Sequence, residues 1–503
     1  MWHDEYSPVD YGWLACGLKL SFNMTVNTSL LPEFLSWFLQ KVMGSLASEI
    51  QEGPKREEYE IYQDVLSQFP FLNGYTHFLR VFETTPSSSR EAIVGDIQKA
   101  LDELRTSIPW LADQVVTVDT GPGTSGFITS APWPASAPAN NVVRADHDDD
   151  FPPLSSLLAS GGPMSSFDPT NLVPCPGLPH PHGLSPIPIF IIRAVFIAGG
   201  VFIVMSAHHN MIDGTGLMQL WNHMATLMNG GSLSDEAVRW AHTDRTRVVP
   251  LLRPTEAAKD FSHLLRPNPW PLGTPPETVW RGFTVSRSAL IDIKDRASPK
   301  EEGAFVSTDD ALSAFCWQRI CAVRLSTGRC QSTQLSKFGR AVNARRAVGL
   351  PDTYLGQMVV HATTRLPLGD VVAKPIAELA GMLRRDLEDA RTEWSVRSCA
   401  TFMASIPDKS KLLYGGLYNP ATDIGGSSLL SWGARSFRMG SLGQSKMFRK
   451  PDGPRIPGCM YFFPSDDERE VQLVLCLTTE DLDELSRDPE WGFYVKGVGA
   501  VPM

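Results

Sequence analysis

The stretch IFIIRAVFIAGGVFIVMSAHHNMIDG, residues 189–214, decides how this chain folds. Two apolar runs, 189–197 and 201–207, are rich in β-branched and aromatic residues, and Gly199-Gly200 lies between them. Such runs joined by a glycine turn predict a buried β-hairpin. A proline before the runs, an arginine inside them and the paired glycines argue against one membrane-spanning helix. We therefore predict two buried strands and no membrane span.

Two histidines directly follow the second strand. His208 and His209 are followed by Asp213 and Gly214, so the imidazoles lie where a buried strand ends and the chain turns. Sheet proteins commonly place their sites at this end of a strand, and imidazole can accept a proton from an alcohol or amine near neutral pH. Each histidine has the alternative of a core residue bonded to a backbone carbonyl. Asp213 either orients His209, as in a triad, or holds the turn through an ion pair.

Composition excludes several classes of protein. The chain has 503 residues, 43% of them hydrophobic, and a net charge of -10, which is unfavourable for binding nucleic acid. Its 8 cysteines form no C-x-x-C pair, and no apolar leader follows the N-terminus, so we expect a reduced cytoplasmic protein. The acidic run at 146–150 is interpreted as a solvated loop, and no metal is predicted. No G-x-S-x-G is present, which favours direct base catalysis without a covalent intermediate.

The pattern along the chain predicts an α/β protein of two lobes. We place the N-terminal lobe at 1–245, a Pro-rich crossover at 246–276 and the C-terminal lobe at 277–503. The predicted helices cover 31–50, 92–111, 215–228 and a segment ending at 323 that has Thr308 as its N-cap; another begins near 478. Further strands are predicted at 337–342, 358–364, 458–463 and 471–477.

Several motifs together resemble a known family. In chain order they are Tyr6-Ser7-Pro8-Val9-Asp10, the segment 101–116, the HxxxDG of 209–214, STDDALSAFCW at 307–317, Arg340-Ala341-Val342-Asn343-Ala344-Arg345 and Tyr354-Leu355-Gly356-Gln357. Their order and spacing resemble the BAHD acyltransferases, within them the fungal branch that includes trichothecene 3-O-acetyltransferases.

The resemblance implies two lobes related to chloramphenicol acetyltransferase, with a channel between them. Acyl-CoA, most often acetyl-CoA, would be the co-substrate, and a small molecule with a hydroxyl would be the acceptor. The resemblance makes His209 the general base and leaves His208 as a core histidine. It pairs Asp213 with Arg345, beside Gly214, in a structural role. We expect a monomer.

One signature of the family is altered. Where it has DFGWG preceded by Ser-Trp, this chain has Arg438-Met439-Gly440, and Ser428-Leu429 falls in the position of Ser-Trp. Ser428 is a candidate oxyanion donor, or else a strand-end serine bonded to the backbone. We expect Arg438 to be solvated, with the phosphates of CoA as the alternative partner. The altered loop motivates another hypothesis: the same fold could use His209 for a CoA-independent cyclisation, isomerisation or elimination. A non-catalytic binding protein is disfavoured by the intact motif.

Overall fold

The computed structural model describes residues 64–497, except 86, 179–183, 269–270, 273, 302, 433–436, 452 and 465–469. The predicted helix at 31–50 and the motif at 6–10 lie outside these residues. The strands are β1 (Tyr75–Glu83), β2 (Gln114–Gly121), β3 (Thr124–Ala131), β4 (Val143–Asp146), β5 (Phe190–Ile197), β6 (Gly200–His208), β7 (Val279–Ser286), β8 (Leu335–Asn343), β9 (Val359–Pro367), β10 (Ile424–Ser428), β11 (Met447–Arg449), β12 (Cys459–Pro464), β13 (Glu470–Leu477) and β14 (Val495–Gly497).

Helices surround these strands. They are α1 (Arg90–Ser107), α2 (Leu154–Ala159), α3 (Pro169–Leu172), α4 (Gly214–Met228), α5 (Asp235–Ala241), α6 (Arg287–Ala297), α7 (Thr308–Ser326), α8 (Leu368–Ala373), α9 (Ile376–Ala390), α10 (Glu393–Ala404), α11 (Thr479–Arg487) and α12 (Pro489–Tyr494). Among the described helices, none combines the length and apolar character needed to cross a bilayer. The predicted α/β class is confirmed.

The chain builds two large sheets and one separate hairpin. The first sheet has the order β11-β1-β6-β5-β4 and the second has the order β14-β7-β13-β12-β10-β8-β9, while β2 pairs with β3. The predicted crossover at 246–276 lies between β6 and β7, and so between the two sheets. One strand departs from this division: β11 lies near the C-terminus but pairs with β1 in the first sheet. The C-terminal half therefore returns to the first lobe.

The predicted hairpin forms the centre of the first sheet. β5 and β6 pair antiparallel from Phe190 with Ala207 to Ile197 with Gly200, and Gly199 has the positive φ of 79° that the turn requires. Every residue of β6 is buried. The helices α1 and α4 cover one face of this sheet, where Leu101 and Trp221 join its core. The strand that precedes the histidines is thus held on both faces.

The second lobe is a sheet covered on one face by helices. Its core includes Phe315 and Trp317 of α7 and Leu383 of α9, against strand residues such as Phe338 and Leu475. The four strands predicted for this lobe are present. The N-cap of α7 was wrongly predicted: Ser307, not Thr308, is extended and accepts a hydrogen bond from the Asp310 amide at 3.2 Å. The Asp310 carboxylate returns a bond to the Ser307 amide, completing a capping box that begins one residue earlier.

Candidate active site

The two histidines lie at the junction of β6 and α4. His208 is the last residue of β6, and its carbonyl oxygen accepts hydrogen bonds from the amides of Met211 (2.9 Å) and Ile212 (3.0 Å). This tight turn leads directly to Asp213, the N-cap of α4, which accepts a hydrogen bond from the Gly216 amide at 2.8 Å. The motif is therefore a strand end, one turn and a helix start, with the histidines at the turn.

His209 is held by its backbone, while its side chain lies in a low-polarity setting. Its amide donates to the Gly74 carbonyl at 2.8 Å. Burial lowers the pKa of the His209 imidazole, and the Lys450 charge lowers it further; the backbone carbonyl of His209, Asp213 and Gln357 act in the opposite direction. Because the net shift is downward, the ring is neutral near pH 7 and can accept a proton.

Asp213 and Arg345 form the ion pair that the resemblance implied. Arg345 donates from Nη1 and Nη2 to the two carboxylate oxygens of Asp213, both at 2.8 Å, and both side chains are fully buried. The Met358 amide donates to the same carboxylate at 2.9 Å, and Arg345 also donates to the Gly356 carbonyl at 2.7 Å. The carboxylate of Asp213 is thus occupied by the second lobe and by its own helix. This arrangement supports the turn-holding interpretation.

His208 is a core residue without the backbone bond expected of it. It is fully buried, and its ring meets Tyr75 edge-on with centroids 5.3 Å apart. Within the described residues, neither ring nitrogen has a hydrogen-bond partner. Burial lowers its pKa to about 3, with a smaller effect from His209, so the ring is neutral. The carbonyl contact expected of a core histidine is therefore not observed.

A buried polar network beneath the turn was not predicted from the sequence. Arg245 donates from Nε to Asp64 at 2.9 Å and from Nη2 to the Met211 carbonyl at 2.5 Å. The Tyr354 hydroxyl donates to the other oxygen of Asp64, and the Tyr354 carbonyl accepts from Arg345. Asp64 and Arg245 are distant in sequence, and neither belongs to a recognisable motif. No local signal could have identified them.

Gly214 has a steric role that the sequence did not indicate. A Cβ atom at this position would lie 2.5 Å from Cη2 of Trp432, so the indole packs directly on the glycine. Trp432 also meets Phe78 edge-on at 5.5 Å. A Ser-Trp dipeptide, Ser431-Trp432, lies three residues beyond Ser428-Leu429. Searching for the dipeptide itself would have found it.

Ser428 lies at the exposed end of β10, in an open depression that Arg340 and Phe462 also line. In the described part of the chain its hydroxyl makes no hydrogen bond, so the alternative of a backbone-bonded serine is not observed. Ser428 pairs with Phe462, which belongs to the helix-covered core. Its neighbour Ser427 pairs with Tyr461, which packs against the core shared by the two lobes. By strand alternation, Ser427 and not Ser428 shares the face of Tyr461.

The altered loop is anchored by its backbone. Asn229, the C-cap of α4, donates from Nδ2 to the Arg438 carbonyl and accepts from the Gly440 amide, both at 3.0 Å. Gly440 has φ of 51°, and a Cβ there would lie 2.7 Å from the Met228 carbonyl oxygen. The Arg438 side chain is exposed. Gly440 and the side-chain carboxamide of Asn229 therefore hold the turn without the acidic residue of the signature.

The acidic run at 146–150 is engaged in ion pairs. Arg90 contacts Asp146 at 2.7 Å and Asp148 at 2.8 Å, and Arg144 also binds Asp146 at 2.9 Å. These carboxylates are partly exposed and separated by guanidinium groups. The run is a surface ion-pair network.

Comparison with known proteins agrees with this architecture. Residues 75–227 match the trichothecene 3-O-acetyltransferase-like N-terminal domain, and residues 171–491 match the Transferase family. The chain is 52% identical to O-acetyltransferase SAT5 of Stachybotrys chartarum, covering 88% of this chain and 96% of that protein. It is 38% identical to O-acyltransferase pigD of Monascus ruber, covering 87% and 98%.

A solved structure has the same fold. The crystal structure of Fusarium graminearum TRI101 complexed with ethyl coenzyme A superposes with a TM-score of 0.81 at 28% identity, covering 88% of this chain and 99% of that one. The two-lobed fold, the matched family and the O-acetyltransferase relatives together identify an acyl-CoA-dependent O-acyltransferase. The chain belongs to the Transferase family, which confirms the resemblance to the fungal BAHD acyltransferases.

Proposed function

We propose that this chain transfers an acyl group from acyl-CoA to a hydroxyl of a specialised metabolite, with His209 as general base and no covalent enzyme intermediate. We expect the acyl group to be acetyl. One observation carries the proposal. His209 is a neutral imidazole at the end of a buried strand, in a turn that is tied to the second lobe by Asp213 and Arg345. A base held between two lobes suits a reaction that brings two substrates together.

The proposed chemistry needs one proton acceptor. The imidazole of His209 removes the proton of the acceptor hydroxyl as its oxygen attacks the thioester carbonyl. The tetrahedral oxyanion then collapses, the carbon–sulfur bond breaks, and the thiolate of CoA takes the proton from the imidazolium. The products are the ester and free CoA. Because burial lowers the pKa of His209, the ring starts neutral and returns its proton readily.

Support for acyl-CoA as donor comes from relatives. The structure of Fusarium graminearum TRI101 was solved with ethyl coenzyme A, and the relative in Stachybotrys chartarum is named an O-acetyltransferase. The Monascus ruber relative is named an O-acyltransferase, so the length of the acyl chain stays open to experiment. No metal takes part in the proposed step.

The residue that donates a hydrogen bond to the oxyanion can be identified by comparing variants of two serines. Ser428 was one candidate for the donor, and Ser427 is the hydroxyl on the face of β10 that carries Tyr461. We propose that one of these two serines donates to the oxyanion, and the strand alternation favours Ser427. Measuring kcat for Ser427→Ala and Ser428→Ala separately assigns the role, because only the donor's loss lowers kcat strongly.

The test is release of free thiol from acetyl-CoA in the presence of a panel of hydroxylated acceptors, with product mass checked in parallel. We expect acceptor-dependent thiol release and a product heavier by one acetyl group. The intact mass of the enzyme should not change during turnover. A stable acetyl adduct on the protein, or conversion of an acceptor without CoA, would contradict the proposal.

The CoA-independent alternative receives no support from the relatives, which are named for acetyl or acyl transfer.

The cytoplasmic location and the monomeric state stay predictions. Size-exclusion chromatography with light scattering tests the monomeric state.

A further inference from the structure

Gln357 is a buried side chain next to the active site, and the proposed reaction gives it no role. It is completely buried, and its backbone is fixed on both sides. The Gly356 carbonyl before it accepts from Arg345 at 2.7 Å, and the Met358 amide after it donates to Asp213 at 2.9 Å. The residue is therefore locked to the ion pair that holds the histidine turn.

Its polar atoms are not satisfied. Within the described part of the chain, neither the oxygen nor the nitrogen of the Gln357 carboxamide makes a hydrogen bond of good geometry, and the same holds for Nδ1 of His209. Buried polar groups in native proteins are nearly always paired, so unpaired ones at one place indicate a functional arrangement. Gln357 offers both an acceptor and a donor there.

The carboxamide lies close enough to two side chains to affect their ionisation. Burial dominates the lowered pKa of His209, and the contact with Gln357 opposes it. Burial also dominates the raised pKa of Tyr414, and there too Gln357 opposes the shift. The Tyr414 ring is held against His361, with centroids 4.3 Å apart. The Gln357 carboxamide thus lies between the His209 imidazole and the Tyr414 phenol.

We propose that Gln357 is a positioning residue that holds His209 in the tautomer with its proton on Nδ1. The carboxamide oxygen would accept from Nδ1–H, and the carboxamide nitrogen would donate to the Tyr414 hydroxyl oxygen. This leaves Nε2 of His209 unprotonated and able to take the proton of the acceptor hydroxyl. The inference rests on the proposed function in that His209 is the base. The backbone carbonyl of His209 is the competing acceptor for Nδ1–H.

Substitution of Gln357 separates these two acceptors. Gln357→Leu keeps the size of the side chain but removes both polar groups, while the backbone carbonyl of His209 stays in place. We expect kcat to fall on the order of tenfold or more, with the KM for acyl-CoA changed less than about threefold. Gln357→Glu places a carboxylate beside the imidazole and should move the acidic limb of the pH–kcat/KM profile to higher pH.

Other charged or titratable groups also affect the pKa of His209. His208, Asp213 and Lys450 influence or are influenced by the His209 charge, and all three are unchanged in both variants. The matched control is Gln318→Leu. Gln318 is a buried glutamine of the second lobe that donates to the carbonyls of Val371 at 3.2 Å and Lys374 at 2.8 Å. This control should lower stability and leave the pH profile in place.

A spectroscopic measurement makes the result independent of turnover. In protein labelled with ¹⁵N-histidine, the imidazole shifts of His209, assigned by its loss in His209→Ala, report the tautomer. We expect Nδ1–H in the wild type and a mixed population in Gln357→Leu. An unchanged tautomer and an unchanged kcat in Gln357→Leu would assign Nδ1–H to the backbone carbonyl and overturn the proposal. If the tautomer changes in Gln357→Leu but the wild type shows no CoA-dependent transfer, the positioning role is upheld and the proposed function is refuted.

Discussion

Asp213 of the first lobe and Arg345 of the second meet in a bidentate ion pair with both N–O distances at 2.8 Å and no exposure of either side chain. The carboxylate also caps α4 and accepts the Met358 amide, so its two oxygens accept four hydrogen bonds. Arg345 is held in turn by the Tyr354 and Gly356 carbonyls. The pair ties the histidine turn to the second lobe, which fixes where the base lies relative to both halves of the protein.

Breaking this pair should cost stability as well as activity. We expect Asp213→Ala to lower the free energy of unfolding by about 3–5 kcal/mol, because Arg345 would be left buried without its counterion. Urea denaturation followed by circular dichroism measures the change. The matched control is Lys374→Ala, which breaks an exposed pair with Glu378 and should cost less than about 1 kcal/mol. Equal losses in the two variants would contradict the assigned role.

Removal of the proposed base should abolish turnover with little effect on folding. We expect His209→Ala to reduce kcat on the order of a hundredfold or more, because no other group would take the hydroxyl proton. Thiol release at saturating substrates gives the rate. His208→Gln is the comparison: its ring lies in the core against Tyr75, and its loss of activity should be much smaller. If His209→Ala keeps more than half of the wild-type rate, His209 is not the base.

The contact between Gly214 and Trp432 gives a prediction with a built-in rescue. Gly214→Ala puts a Cβ atom 2.5 Å from Cη2 of the indole, so the helix start or the indole must move. We expect a loss of melting temperature and of kcat, with recovery of both when Trp432→Leu is added. Gly95→Ala in α1 is the control: its Cβ meets nothing within 4 Å, and alanine favours a helix by up to about 1 kcal/mol. Failure of the second substitution to restore kcat would show that the steric contact is not the cause.

The altered loop should depend on Asn229 more than on Arg438. The Arg438 side chain is exposed, whereas its carbonyl and the Gly440 amide both bind the Asn229 carboxamide. We expect Arg438→Ala to change activity less than about tenfold, a barrier change under roughly 1.4 kcal/mol. Asn229→Asp keeps the acceptor for Gly440 but loses the donor to Arg438, and hydrogen exchange in 437–445 should quicken. A selective rise in the KM for acyl-CoA in Arg438→Ala would instead place the arginine in the donor site.

Stability should fall in mildly acidic solution. Burial lowers the pKa of His77, His208 and His361 to about 3 and that of His223 to about 4, well below the unfolded value of about 6.5. Below pH 6.5 the unfolded chain therefore binds more protons than the native one, and unfolding becomes easier as pH falls toward these native values. Each histidine contributes up to about 1.4 kcal/mol per pH unit.

Urea midpoints measured from pH 7 to pH 4 test this dependence. His223→Gln removes one of the four groups and should make the decline less steep. A midpoint that stays constant over this range would mean that these histidines are protonated in the native state.

Local patterns in the sequence were sufficient for some of the elements, including β5, β6, α4 and α7. The run at 189–207 predicted β5 and β6, because two apolar runs rich in β-branched and aromatic residues, joined by a glycine turn, leave a clear local signature. Capping was less certain, as Ser307 and Thr308 show, because two adjacent hydroxyl residues each fit an N-cap and only backbone geometry distinguishes them. The histidine turn was found because its residues are contiguous and their order matches a family motif.

Taken alone, the sequence determined the α/β class, the two lobes, the family and the position of His209, since each depends on short-range pattern or on motif order. Only the tertiary structure decided that Asp64 and Arg245 brace the turn, that Trp432 packs on Gly214, and that Ser427 and Ser428 face opposite sides of β10. These contacts join residues far apart in sequence or depend on strand register. They arise only when packing of the two sheets has fixed which side chains meet.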